Sequence, residues 1–157
     1  MNFKNIRNFF VKFFTTCFGL GYSPIFPGAV GVAFGIVVAY LVNPLPLLNK
    51  ILITLILIVL AIPLSTEAEK LFEKKDPKKI IIDEVIGVLI ATIWFTNLPM
   101  IIFLLFFLIF GTFDALKIYP ANISERLYGG WGIVIDDIIA GAYTALAVFF
   151  LLKFIYI

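Results

Sequence analysis

Five long apolar runs set the terms for this chain: Ala29 to Val42, Leu47 to Leu64, Val85 to Thr96, Met100 to Phe113 and Ile138 to Tyr156, interrupted by charge only at Lys50 and Lys153. A bilayer core of about 30 Å calls for about 20 apolar residues in a helix, so these runs are candidate membrane spans, several of them short. With 62% hydrophobic residues, 14% charged ones and a mean hydropathy of +1.11, the chain lies outside the soluble range. Its 157 residues form a single domain by length. The expectation is an all-α integral membrane protein.

Turn chemistry organises the runs. Asn43-Pro44-Leu45-Pro46 joins the first pair and Asn97-Leu98-Pro99 the second, and both end a helix and let the chain double back. Two tight hairpins and a final single span follow, five crossings in all. Residues 1–18 read as an interfacial helix, because Lys4, Arg7 and Lys12 fall on one face and Phe3, Ile6, Phe9 and Phe10 on the other. A basic start before apolar residues is also a signal-peptide signature. The Pro/Gly-rich loop at 19–28 is a poor hydrophobic region, and the segment is expected to stay.

A cytoplasmic N-terminus leaves only Lys50 and Lys153 near the outer face, with Lys4, Arg7, Lys12, Lys70, Lys74, Lys75, Lys78, Lys79, Lys117 and Arg126 inside. The positive-inside rule favours that orientation. It also brings every Asp and Glu to the cytoplasmic side, although the rule does not use the acids. Residues 65–84 form a charged cytoplasmic linker whose Glu67, Glu69, Lys70, Glu73 and Lys74 permit pairing along a helix. Its Lys74, Lys75, Lys78, Lys79 cluster is suited to anionic lipid headgroups.

Composition narrows the chemistry. A lone cysteine, Cys17, leaves no internal disulfide, and the absence of histidine removes the commonest catalytic base and metal ligand. A net charge of +2, without basic residues interleaved with aromatics, argues against nucleic acid. A thiolate phosphatase needs Cys-x5-Arg, and Ser23 stands where that arginine would be. Carboxylates, lysine, hydroxyls and backbone remain.

The carboxylates gather at helix ends. Asp83 and Glu84 precede the run from Val85, Asp136 and Asp137 precede the last run, and Asp114 with Lys117 closes the fourth. Acids at helix N-termini gain from the dipole, which is the plain structural explanation. Yet five carboxylates beside one ammonium repel one another at a membrane boundary, and a divalent cation is the simplest remedy. Oxygen ligands without His or Cys suit Mg²⁺, held by a few carboxylates together with substrate phosphate oxygens. Asp83, Glu84, Asp136 and Asp137 are the expected metal ligands, the first two closing the linker and the last two closing a cytoplasmic catalytic loop at 114–137. Gly129, Gly130 and Gly132 allow close backbone approach, and the loop with Ser23, Pro24, Pro27 and Gly28 opens a helix N-terminus fit to cradle phosphate. Gly31 and Gly35 serve helix packing in lipid equally well.

The blocks SPIFPGAVG (Ser23 to Gly31), DEVIG (Asp83 to Gly87), DALKIYP (Asp114 to Pro120) and GGWGIVIDDIIAG (Gly129 to Gly141), in this order, resemble the phosphatidylglycerophosphatase A family from about Gly19 to Gly141. The resemblance implies a Mg²⁺-dependent enzyme of the bacterial inner membrane that hydrolyses phosphatidylglycerophosphate to phosphatidylglycerol and phosphate. By matching position it carries catalysis to Asp83, Glu84, Asp114, Asp136 and Asp137 together with Lys117, and phosphate binding is expected of Lys117 with the loop residues Ser23, Gly28, Gly129 and Gly130. The chain departs from the family at Gly111 and Ile118, where arginine and proline are frequent, at Ala29 for threonine and at Tyr128 for histidine. Arg126 and the Lys74 to Lys79 cluster are the cations left to replace that arginine.

Two routes to hydrolysis stay open on the residues alone: attack by an activated water, or a covalent aspartyl-phosphate on Asp83 or Asp136. Rival classes are a small transporter, against which no acid stands mid-span, and a non-catalytic scaffold whose acids only cap helices.

Overall fold

The computed structural model describes residues 3–124 and 126–155. Glu125, at the head of one charged block, and Tyr156, the expected end of the last span, lie outside the described residues. The described residues fold as helices: α1 (Phe3–Thr15), α2 (Pro27–Val42), α3 (Leu47–Phe72), α4 (Ile82–Thr92), α5 (Met100–Leu116), the short α6 (Ala121–Ser124) and α7 (Gly130–Ile155).

Prolines set several starts. Pro27 occupies the first turn of α2, and Pro46 and Pro99 stand immediately before α3 and α5, positions where a missing N–H costs nothing. Lys117 takes a left-handed conformation that ends α5. α1 buries Val11 and Thr15 and leaves Phe3, Phe9, Phe10 and Phe14 exposed.

Among the described residues two helices, α3 and α7, are long and apolar enough to cross a membrane, whereas α2 and α5 are shorter apolar helices. Leu48, Leu52, Leu55, Ile56, Val59 and Leu60 of α3 are all exposed, a face that water does not tolerate and lipid does. The protein is membrane-associated. α3 differs from expectation: it does not stop at Leu64 but carries its charged end, through Pro63, to Phe72, so much of the linker at 65–84 is a continuation of the span. Pro63 is tolerated inside such a helix because neighbouring groups satisfy the freed carbonyl.

The expected span from Val85 to Thr96 is a different object. α4 has 11 residues, roughly 16 Å of helix, and it is packed among α2, α3, α5 and α7. Every residue from Ile82 to Leu89 is buried. α4 is therefore the core of the bundle, with no face left for lipid. Glycines permit this: at Gly87 a Cβ would meet the Phe110 ring at 2.5 Å and the Asp137 carbonyl at 2.8 Å, and at Gly141 it would collide with the Gly87 carbonyl. α4 and α7 touch backbone to backbone.

Both ends of α4 are pinned. Before it, the Ile81 N–H donates to the Thr15 carbonyl at 2.9 Å, and Cys17 Sγ lies 3.8 Å from the Ile81 carbonyl. Beyond it, Lys50 Nζ donates to the Phe95 carbonyl at 2.6 Å and to Thr96 Oγ1 at 3.0 Å, while Asn43 Nδ2 donates to the same carbonyl at 3.1 Å. Lys50 is thus not an outer-surface cation but a buried one, completing a helix end that lipid would leave unsatisfied. Lys50→Met should cost about 1–3 kcal/mol of stability by stranding buried polar groups. Thermal unfolding in detergent measures this, with Lys50→Arg retaining most of the loss.

Candidate active site

The acids converge on one cleft of about 900 Å³, lined by Asp83, Glu84, Asp114, Lys117, Asp136 and Asp137. Three elements deliver them. Asp83 and Glu84 lie in the first turn of α4, Asp114 lies in the last turn of α5, and Asp136 and Asp137 lie inside α7, about two turns from its start. That last position differs from the expected loop at 114–137, since α6 and α7 take up much of it. It also weakens the capping explanation, because the dipole's benefit is confined to the first turn.

Asp83, Glu84 and Asp137 each offer an oxygen, and the three oxygens lie within 4.8 Å of one another. All three residues are buried. Asp114 stands beside Asp137. Asp136 is set apart from this cluster by a partner: Lys117 Nζ donates to its Oδ2 at 2.9 Å. Asp83 Oδ1, Glu84 Oε2, Asp136 Oδ1 and Asp137 Oδ2 are buried without a hydrogen-bond partner, an arrangement that an anionic oxygen sustains only with a cation or a proton. Hard oxygen donors, crowded and lacking N–H partners, fit a divalent metal ion.

α2 closes the cluster from the side. A Cβ at Gly28 would lie 3.1 Å from Glu84 Oε1, and one at Gly31 would lie 3.1 Å from Glu84 Oε2 and 2.9 Å from Ile81 Cβ. The spacing of Gly28, Gly31 and Gly35 puts them on one face of α2, and that face rests on α4. Gly31 belongs to the site's wall, a role that sequence reading left level with simple packing.

The other expected phosphate contacts separate. Gly28 and Lys117 line the cleft, whereas Gly129 and Gly132 line an adjoining recess of about 240 Å³ that shares Asp76 and Asp136 with it. The Gly130 N–H donates to Thr66 Oγ1 at 2.8 Å, which commits it to anchoring α7 on α3. Ser23 bonds the Ile25 carbonyl at 2.9 Å and is not among the cleft's lining residues. Sequence reading missed Asp76 as a lining residue and left Lys78 undistinguished within the Lys74 to Lys79 cluster. Their signal was proximity in sequence to Asp83, masked by a linker that reads as solvated charge.

One wall of the cleft is apolar: Phe26, Val32, Phe107, Leu108 and Leu116 line it together with the acids. Phe26, Leu108 and Leu116 are also exposed to the outside, at 78%, 62% and 64%, so the cleft opens along the apolar side of the bundle. A site acidic at its base and apolar at its mouth suits an amphiphile with an anionic, metal-binding head. Cys17 takes no part: burial pushes its thiol up to about 12, with the nearby charge of Asp83 adding to the effect, which leaves it un-ionised and inert.

Residues 13–152 match the family model described as "Phosphatidylglycerophosphatase A". The chain is 33% identical over 135 residues to a protein named phosphatidylglycerophosphatase A from Escherichia coli strain K12, covering 85% of this chain and 78% of that protein. It is 29% identical over 140 residues to a Bacteroides thetaiotaomicron protein named "Putative phosphatidylinositol-3-phosphatase", covering 82% and 85%. A phosphatidylglycerophosphatase A from Haemophilus influenzae is 37% identical over 75 residues, covering 47% and 46%. No solved structure matches the chain.

Proposed function

The chain belongs to the phosphatidylglycerophosphatase A family, and on that premise we propose that it hydrolyses the terminal phosphate of phosphatidylglycerophosphate, giving phosphatidylglycerol and inorganic phosphate, with Mg²⁺ as cofactor. The single observation that carries the reading is the meeting of Asp83, Glu84 and Asp137, each with an oxygen in one cluster, at the base of a cleft with an apolar mouth.

Asp83, Glu84 and Asp137 would hold the metal ion. When bound, it supplies Lewis-acid polarisation of the phosphoryl group and offsets the developing negative charge. Lys117, oriented by Asp136, presents a cation to a phosphate oxygen, and the first turn of α2 at Gly28 keeps the approach open. We assign the proton of the attacking water to Asp114, beside Asp137. An aspartyl-phosphate is less well supported, because Asp83 belongs to the cluster and Asp136 is engaged by Lys117. Phosphoryl transfer of this kind rests on positioning and charge, both of which the cleft supplies.

An interfacial α1 and a site on the cytoplasmic side of the bacterial inner membrane complete the reading, supported by the Lys/Arg distribution. The relative named for a phosphoinositide suggests a second substrate with the same chemistry, a phosphomonoester on a glycerophospholipid headgroup. The decisive experiment is phosphate release by the purified protein, with and without Mg²⁺, from phosphatidylglycerophosphate and from phosphatidylinositol 3-phosphate. Release that needs Mg²⁺ and prefers the first lipid is expected, and in membrane vesicles only those with the cytoplasmic face outward should be active. Preference for the second lipid would reassign the substrate, and no release from either would end the enzymatic reading.

A further inference from the structure

A phosphate entering this cleft meets six carboxylates, those of Asp76, Asp83, Glu84, Asp114, Asp136 and Asp137, so the cations on its walls decide whether it stays. Lys117 is one, but its Nζ already bonds Asp136 at 2.9 Å. Lys78, on the loop between α3 and α4, is the other lysine lining the cleft.

The basic residues around Lys78 are otherwise employed. Lys79 Nζ lies 5.2 Å from the centroid of the Tyr22 ring and 5.5 Å from that of Phe72, and Lys12 Nζ lies 5.2 Å from Phe72, distances at which a cation and a ring attract. Lys70 bonds Glu67 at 2.7 Å, and Arg7 stands 3.8 Å from the same carboxylate. Lys75 lines the adjoining recess. Lys78 is exposed, and among the described residues its ammonium has no ion pair or hydrogen bond. The loop that carries it is not adrift: Ile80 donates to the Pro77 carbonyl at 2.8 Å, Ile81 is held by Thr15, and the Lys79 carbonyl packs on Gly21.

We infer that Lys78 is a substrate-binding residue that takes a phosphate oxygen of the lipid headgroup at the rim of the cleft, while Lys117 and the acid cluster act at its base. This rests on the lipid-phosphatase reading above. It separates Lys78 from its neighbours in the lysine cluster: Lys74, equally exposed but not lining the cleft, serves only general attraction to an anionic surface.

The test is a comparison of Lys78→Ala, Lys78→Arg and Lys74→Ala in Mg²⁺ with phosphatidylglycerophosphate in mixed micelles. A charge-assisted contact made equally in ground and transition states predicts that Lys78→Ala raises KM about tenfold with kcat within about twofold. Lys78→Arg should recover most of the affinity, and Lys74→Ala should match the parent. Calorimetric binding of inorganic phosphate, free of lipid and of turnover, should weaken about tenfold in Lys78→Ala alone. An equal KM rise in Lys74→Ala, or unchanged phosphate binding in Lys78→Ala, would overturn the assignment. Parent turnover tests the enzymatic reading by itself, and phosphate binding still judges Lys78 if that reading fails.

Discussion

Asp83→Asn, Glu84→Gln and Asp137→Asn each lower phosphate release at least ~100-fold while leaving a folded protein, because Lewis-acid stabilisation of a phosphoryl transition state is worth several kcal/mol. The amide keeps the shape of the side chain and removes the charge. Folding should survive because each of the three carboxylates is buried in the company of the others, and neutralising one relieves repulsion. Asp136→Asn is expected to act differently. It withdraws the carboxylate that orients Lys117, so part of its effect falls on KM. Glu67→Gln is the control, an acid at the exposed end of α3 that pairs with Lys70 and Arg7, and its turnover should stay within about twofold of the parent. Near-normal rates in all three cluster variants would deny these acids a part in catalysis and restore the scaffold reading.

The acid blocks were legible in the sequence because charge is conspicuous between apolar runs: Asp83-Glu84, Asp114 and Asp136-Asp137 could be named before any fold was known. Turns were legible for a similar reason, since Pro44, Pro46 and Pro99 exclude helix continuation. What hydropathy does not encode is whether an apolar helix faces lipid or protein. Val85 to Thr96 reads as a span, yet the Gly87 and Gly141 contact draws α4 into the centre, a property of two glycines far apart in sequence. The same limit hid Lys50, whose charge counted toward the outer face until its partners at Phe95 and Thr96 came into view. Five equal carboxylates also concealed a division of labour. Asp83, Glu84 and Asp137 cluster while Asp136 turns to Lys117, because adjacent residues on α7 point about 100° apart. Gly130 stands similarly: its place beside the acid pair suggested phosphate, and its N–H went to Thr66.

If the clustered acids hold a metal ion, then Mg²⁺ raises the unfolding temperature of the parent, since a ligand bound only by the folded state stabilises it by mass action. At about 100 times its dissociation constant the gain is about 2.7 kcal/mol, or about 5–10 °C for a domain of this size. The Asp83→Asn/Asp137→Asn double variant makes the test sharp. Without Mg²⁺ it should unfold above the parent, because Glu84 alone of the three cluster acids keeps its charge. With Mg²⁺ it should not move. Helix capping predicts the reverse for Asp83 in the first turn of α4: loss of the charge would destabilise the helix by about 0.3–1 kcal/mol at any Mg²⁺ concentration. An equal upshift in parent and double variant would put the metal elsewhere. In that event four unpartnered oxygens on Asp83, Glu84, Asp136 and Asp137 would have to be held by shared protons, and the cleft would bind phosphate through its lysines alone.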